Sequence, residues 1–287
     1  MLENFFQSIL DTHCHGEKLK NYNNVGGGCI NNAFRLNTNH DSYFVKWNSK
    51  DRNDLFKAEK QGLAVLKDAS QIKVPDILGS GVVKDKSYLL LKWINQGHQT
   101  SQFWKIFGRD LALMHQETAD QFGLDHDNFI GSLHQSNHQH GSWASFYTQE
   151  RLLPQLELAV QKRLIDSKTA KGVESLCKRL PDLIPAETPA LLHGDLWNGN
   201  FLANSNACPV LIDPAVHYGH RETELAFTHL FGGFDRTFYQ SYEQTYPLEK
   251  GFESRIDIHN IYPLLVHVNL FGSSYLNGIQ RTIQRFS

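Results

Sequence analysis

The sequence predicts an α+β protein in two lobes. Residues 1–94 form a small, β-rich N-terminal lobe with one key helix, and residues 95–287 a larger, mainly helical C-terminal lobe. Three observations predict this division. Short β-branched and aromatic runs, separated by Gly and Asn clusters, fill the first ninety residues. Helical apolar periodicity fills most of the remainder. One strand-rich segment, 191–213, interrupts those helices and gathers Asp195, Asn200 and Asp213.

Taken in order, residues 25–30 form a glycine-rich turn containing Gly26, Gly27 and Gly28. Residues 31–36 and 42–47 read as paired strands around the turn-forming cluster 37–41. Apolar residues spaced along 54–66 predict an amphipathic helix, weakened by Gly62. Extended structure restarts at 74–79, and 87–94 looks like a central strand before Asn95-Gln96-Gly97-His98 breaks it. Helices are expected at 103–117, at 143–165 with an interruption or bend at Pro154, and at 169–180. Residues 222–246 and 255–283 are further helical segments, punctuated by Pro247 and Pro263.

Composition narrows the function. Apolar residues make up 40% and charged residues 20%, with a formal net charge of −2. That balance offers neither nucleic acid nor an anionic membrane a basic partner. No apolar run approaches the roughly 20 residues that span a bilayer, and the N-terminus does not read as a signal peptide. Cys14, Cys29, Cys177 and Cys208 lack CxxC spacing, which fits reduced thiols and a cytoplasmic location. The His-rich stretch 133–140 has no HExxH or Cys companion and reads as a solvated loop. Nothing in the sequence sets an oligomeric state.

The chemistry converges on phosphoryl transfer. Asp195 follows a tight bend after the apolar pair Leu191-Leu192, where a carboxylate can take a proton from an attacking hydroxyl. Asn200 and Asp213 supply hard oxygen ligands for Mg²⁺. The glycine triplet lets backbone N–H groups approach phosphate oxygens, or is a simple hairpin turn. It is followed by a strand and by no Gly-Lys-Ser/Thr, so it is neither a Walker loop nor a dinucleotide fingerprint. Lys46 ends an apolar strand and needs a charged partner, which Glu59 on the next helix offers. His193 is expected to support the loop backbone.

The run His193-Gly194-Asp195-Leu196-Trp197-Asn198-Gly199-Asn200 resembles the HGDxxxxN catalytic loop of the aminoglycoside phosphotransferase and choline kinase class, and Ile212-Asp213-Pro214 resembles its metal-binding motif. The chain more narrowly resembles the fructosamine kinase family. Residues 26–33, 130–132, 195–200, 213–222 and 230–234 carry that likeness, and 213–222 is its specific part. The resemblance implies a protein-kinase-like fold and Mg²⁺-dependent use of ATP. It implies phosphorylation of the sugar 3-hydroxyl of small-molecule or protein-bound ketosamines, after which the adduct releases its amine. It also implies a hinge near Leu91 and Trp93 whose backbone meets adenine, with Lys92 standing where relatives commonly have an acid.

Two readings stand for the flanking residues. Trp197 stacks on a sugar face or anchors the core. His217, Tyr218 and Arg221 contact sugar or phosphate, or form part of a scaffold. Glu222 and Glu224 suit the first turn of a helix. Oxidation of Cys29 beside the glycines would block ATP binding. A kinase of the same fold acting on an aminoglycoside, choline or a sugar is the alternative enzyme, and a nucleotide-binding pseudokinase the alternative without catalysis.

Overall fold

The computed structural model describes residues 2–26 and 30–286. Gly27, Gly28 and Cys29, part of the expected phosphate cradle and the expected oxidation site, lie outside the described residues.

The N-terminal region begins with α1 (Leu2–His13), then β1 (Asn21–Asn24), β2 (Asn32–Asn37), β3 (Ser42–Ser49), α2 (Asn53–Ala69), β4 (Ile77–Val83) and β5 (Lys86–Lys92). The strands form one antiparallel sheet in the order β1-β2-β3-β5-β4. Alternation along β3 assigns its two faces. Tyr43 and Val45 join Leu36, Tyr88 and Leu90 beneath α1, which contributes Phe5, Phe6, Ile9 and Leu10. Phe44 turns the other way, with Leu89 and Leu91, toward Phe56 and Leu63 of α2. Each such buried side chain is worth about 1.5–3 kcal/mol.

Helix α1 and strand β1 depart from the expected pattern of strands with one helix. Helix α1 sets Phe5, Phe6, Ile9 and Leu10 on one stripe. Strand β1, Asn-Tyr-Asn-Asn at the sheet edge, offers one ring, Tyr22, which packs on Phe6 at 5.0 Å, so no alternation marks it. Gly62, expected to weaken α2, has a packing role. A Cβ there would meet Pro214 Cγ at 3.2 Å and Val216 Cγ2 at 3.4 Å, so glycine brings α2 onto the segment after Asp213.

The C-terminal region opens with α3 (Ser101–Met114), capped by Thr100, whose hydroxyl accepts the Phe103 N–H. Next come a hairpin of β6 (Asn128–Ile130) and β7 (Leu133–Gln135), α4 (Trp143–Phe146), a π-helical stretch Tyr147–Leu152, α5 (Leu153–Gln161) and α6 (Ser167–Leu183). Pro154 directly follows the π-helical stretch at the start of α5, so the irregularity expected there takes the form of a change in helical winding within a continuous helix. The segment expected at 133–140 to be solvated is partly anchored. Gln135 and Asn137 are buried, and His140 bonds Glu150 at 2.8 Å.

The catalytic segment is two short ladders, β8 (Ala190–Leu192) with β11 (His217–Gly219), and β9 (Phe201–Ala203) with β10 (Pro209–Leu211). The expected helix over 222–246 is two, α7 (Arg221–Leu230) and α8 (Arg236–Thr245), parted where Gly232 and Gly233 take φ of 68° and 90°. The chain ends in α9 (Phe252–His259), α10 (Ile261–Phe271) and α11 (Leu276–Phe286). Pro263 lies in the first turn of α10 and leaves it intact. Among the described residues, no helix is long and apolar enough to cross a membrane.

Candidate active site

Strand register assembles the site. Pairing of Phe201 with Leu211 sets the two chain segments side by side, and the Ile212 N–H donates to the Asn200 carbonyl at 3.0 Å. Pairing of Leu192 with His217 continues into a bond from Ala215 N–H to the His193 carbonyl at 2.9 Å. The 193–200 loop, bearing Asp195 and Asn200, therefore lies against 212–216, bearing Asp213. Gly194 makes that approach possible: its φ is +83°, and a Cβ would strike the Ala215 carbonyl oxygen at 2.0 Å.

Asp195 is half-buried and bonded within its own loop. Asn200 Nδ2 donates to the Asp195 carbonyl and to Oδ2, both at 2.8 Å. Loss of surrounding water pushes the Asp195 carboxyl well above the usual carboxylate range, opposed by the Asn200 bond and reinforced by the charges of Asp213 and Glu224. A carboxylate raised in this way is a better proton acceptor.

His193 braces the loop, as expected. Its Nδ1 accepts the Asp195 N–H at 3.2 Å, which leaves Nε2–H to donate to the Ile212 carbonyl at 2.9 Å. Burial lowers the His193 pKa, consistent with that neutral tautomer.

Lys46, 7% exposed, crosses from the sheet to the catalytic segment. It donates to Glu59 Oε1 at 2.9 Å and to Asp213 Oδ1. Burial opposes its charge, but the two carboxylates prevail and raise its pKa. Burial raises the Glu59 carboxyl despite that pairing. Asp213 itself stands at φ +57°, an uncommon conformation for a side-chain-bearing residue.

At the expected hinge, Leu91 is 3% exposed and pairs with Phe44 and Ile77 across neighbouring strands. The Trp93 ring lies 6.4 Å from Phe44 and beneath the Arg35 guanidinium at 4.6 Å. Lys92 turns away, pairing with Asp41 at 2.5 Å. Gly26 has open space around it, next to Val25, whose N–H donates to Ala33 at 2.9 Å.

The residues expected near substrate separate into two groups. Trp197 is half-buried beside Asp195, with its ring 6.3 Å from that of Phe231. His217 shares a cavity wall with Asp195, Gly194, Tyr262 and His267. Its ring stacks on Phe146 at 5.6 Å, and burial holds it far below its ordinary pKa, so it stays neutral.

Tyr218 and Arg221 are not among the residues that line that cavity. Tyr218 points to the opposite side of β11 and packs into the core around Phe107 and Phe201. Arg221 is buried on Glu187 at 2.8–2.9 Å, on the Tyr246 and Pro247 carbonyls at 2.8 and 2.7 Å, and over the Tyr246 ring. These contacts suit the scaffold reading.

Glu224 stands in the first turn of α7 and also reaches the 193–200 loop. Its carboxylate accepts the Gly194 N–H at 2.7 Å and the His193 N–H at 3.1 Å, while His115 Nε2 lies 3.0 Å away. A buried acid thus fixes the start of the catalytic loop. Nothing in the sequence reveals this, because the acid and its amides lie about thirty residues apart. Glu222, on the same helix, is gripped by Arg255 at 2.5 and 2.7 Å and approached by His259 at 3.2 Å. With His220 it forms a group of metal-ligand type, but the guanidinium already occupies the carboxylate.

Comparison with known proteins identifies the family. A probable ketoamine kinase of Lactiplantibacillus plantarum is 39% identical over 264 residues, covering 91% of this chain and 92% of that protein. A chloroplastic protein-ribulosamine 3-kinase of Oryza sativa subsp. japonica is 36% identical, covering 94% of this chain and 79% of that one. A solved structure of a proposed fructosamine-3-kinase from Thermobifida fusca superposes with a TM-score of 0.87 at 32% identity, with 98% of each chain covered. The model for the fructosamine kinase family matches residues 1–287, and the chain belongs to that family.

Proposed function

We propose that this protein transfers the γ-phosphoryl group of ATP to the 3-hydroxyl of a sugar bound to an amine, a ketosamine, and so begins removal of the sugar. The juxtaposition of Asp195, Asn200 and Asp213 with the Lys46–Glu59 pair carries this reading. The sugar O3–H bond breaks and its proton passes to Asp195. The O3–P bond forms as the bond from the γ-phosphorus to its bridging oxygen breaks, and ADP leaves. Lys46 supplies positive charge to the phosphates, and the glycine turn supplies N–H donors.

Two oxygen atoms, Asn200 Oδ1 and Asp213 Oδ2, accept no hydrogen bond among the described residues. They are hard donors of the kind Mg²⁺ takes, so the donor set fits that ion. When bound, Mg²⁺ would neutralise charge developing on the phosphates. Leu91 and Trp93 border the adenine position, and Trp197 and His217 border the sugar. The unpaired thiols of Cys14, Cys177 and Cys208 suit a reducing compartment such as the cytoplasm.

The test is ADP release with Mg²⁺ and four acceptors in parallel: a ribulosamine, a fructosamine, choline and an aminoglycoside. Turnover confined to the ketosamines is expected. Turnover of choline or the aminoglycoside alone would overturn the acceptor assignment, and nucleotide binding without transfer to any acceptor would favour a pseudokinase.

A further inference from the structure

His115 closes α3, Tyr242 belongs to α8, and Arg221 and Glu224 to α7, yet their four side chains meet in the interior. None is more than 3% exposed. His115 and Tyr242 have no part in the phosphoryl transfer described above. Arg221 belongs to the stretch 213–222 that carries the specific part of the family likeness. Polar groups buried this deeply are costly unless each is bonded.

Their protons run in one direction. A guanidinium only donates, so the Tyr242 oxygen accepts from Arg221 Nη1 at 3.5 Å. A carboxylate only accepts, so His115 Nε2–H donates to Glu224 Oε2 at 3.0 Å. Between them the Tyr242 O–H donates to His115 Nδ1 at 2.8 Å. Both ends therefore impose the same tautomer on His115. Burial pushes the Tyr242 hydroxyl up, which keeps its proton in the chain. Burial also pushes the Glu224 carboxyl up, but the bond from His115 helps hold it below its ordinary value. The rest of that carboxylate accepts the N–H groups of Gly194 at 2.7 Å and His193 at 3.1 Å, the two residues before Asp195.

We infer that His115, oriented by Tyr242 and Arg221, is a positioning residue for the transfer: it fixes the Glu224 carboxylate on the His193 and Gly194 amides and so fixes Asp195 at the acceptor hydroxyl. This rests on Asp195 as the proton acceptor and gives the buried residues behind it a task. Gly194, at φ +83° and without a side chain, has the Glu224 bond to orient its amide. Without the His115 donor, Glu224 stays buried and takes up a proton. A protonated carboxyl has an O–H donor in place of one acceptor, so an amide facing it loses its partner.

The experiment measures kcat and the KM for ATP with a ribulosamine acceptor in His115→Leu, His115→Gln, Tyr242→Phe and the His115→Leu/Tyr242→Phe double variant. Active sites are counted by ADP titration, so unfolded protein drops out. His115→Leu should lower kcat per site about tenfold or more and leave the KM for ATP near wild type. His115→Gln, whose amide N–H can stand in for Nε2–H, should recover most of that loss. Tyr242→Phe should cost less, and nothing further once His115 is Leu, because its effect passes through the imidazole. An unchanged kcat per site in His115→Leu, no recovery in His115→Gln, or additive losses in the double variant would overturn the inference. If wild type turns over no acceptor, the ketosamine reading fails by itself. The chain is then judged by hydrogen exchange at the His193 and Gly194 amides: faster exchange in His115→Leu than in His115→Gln retains it, and unchanged exchange in both ends it.

Discussion

On one side of the cleft, Lys46 reaches from β3 to Glu59 and on to Asp213, so two carboxylates and one ammonium join the sheet to the catalytic segment. On the other side, Asp195 rides on a loop whose first amides are fixed by Glu224, whose imidazole is bonded at both nitrogens, and whose Asn200 bonds back to Asp195. The Lys46 side depends on a few charges, and Asp213 there keeps 42% of its side chain exposed. The Asp195 side is built from buried, directional bonds, with Glu224 only 3% exposed. Charges can exchange partners when phosphates arrive, whereas a network of satisfied buried bonds keeps one geometry. Phosphoryl transfer needs both, since the acceptor oxygen must be placed before charge develops.

The sharpest way to break the contrast is Asp195→Asn. It should lower kcat by about 10²-fold or more while nucleotide affinity, measured by titration calorimetry, stays near wild type. Nearly unchanged turnover would remove Asp195 as the base. Next in size is Glu224→Ala. Two buried amides lose their acceptor, at about 1–3 kcal/mol each, so urea unfolding should register a loss of stability alongside reduced kcat. A variant with wild-type stability would mean that the loop holds itself. Lys46→Met should instead raise the KM for ATP at least about tenfold, the scale of one charge-assisted bond. Its urea midpoint should move less than that of Glu224→Ala; the reverse order would invert the comparison.

A smaller effect concerns acid stability. Burial pushes the Glu222 carboxyl up, but Arg255 and His259 overcome it and hold it at about 2, against an ordinary 4.5. A carboxyl depressed on folding contributes stability that is fully present above 4.5 and is lost as pH falls toward 2. Glu222→Gln should therefore flatten the acid limb of a stability curve between those values, whatever it costs at neutral pH. The smallest effect is expected at Lys92, whose pairing with Asp41 is partly exposed: Lys92→Ala should change stability by under about 1 kcal/mol.

Much of the site was legible because its parts are local. Asp195 and Asn200 share one loop, Asp213 follows the next hairpin, and Lys46 and Glu59 sit on consecutive elements. The central strands announced themselves through alternation. What escaped was non-local or polar. Strand β1 is held by backbone pairing with β2 and by a single ring, Tyr22 on Phe6 and Phe34, too little for a periodic pattern. Arg221 and Tyr218 stand in the same motif as His217, yet strand alternation and the Glu187 pair turn them elsewhere. Glu224 and Glu222 are two acids in one helical turn with opposite assignments, and only the fold distinguishes them.

The imidazole of His193 has a consequence for how the carboxylates of Asp195 and Asp213 respond to one another. One ring nitrogen grips the amide of Asp195, and the other grips the carbonyl immediately before Asp213. The ring is a rigid strut whose two ends hold the backbone at Asp195 and just before Asp213. Any replacement that lacks opposed polar atoms would let those residues drift independently.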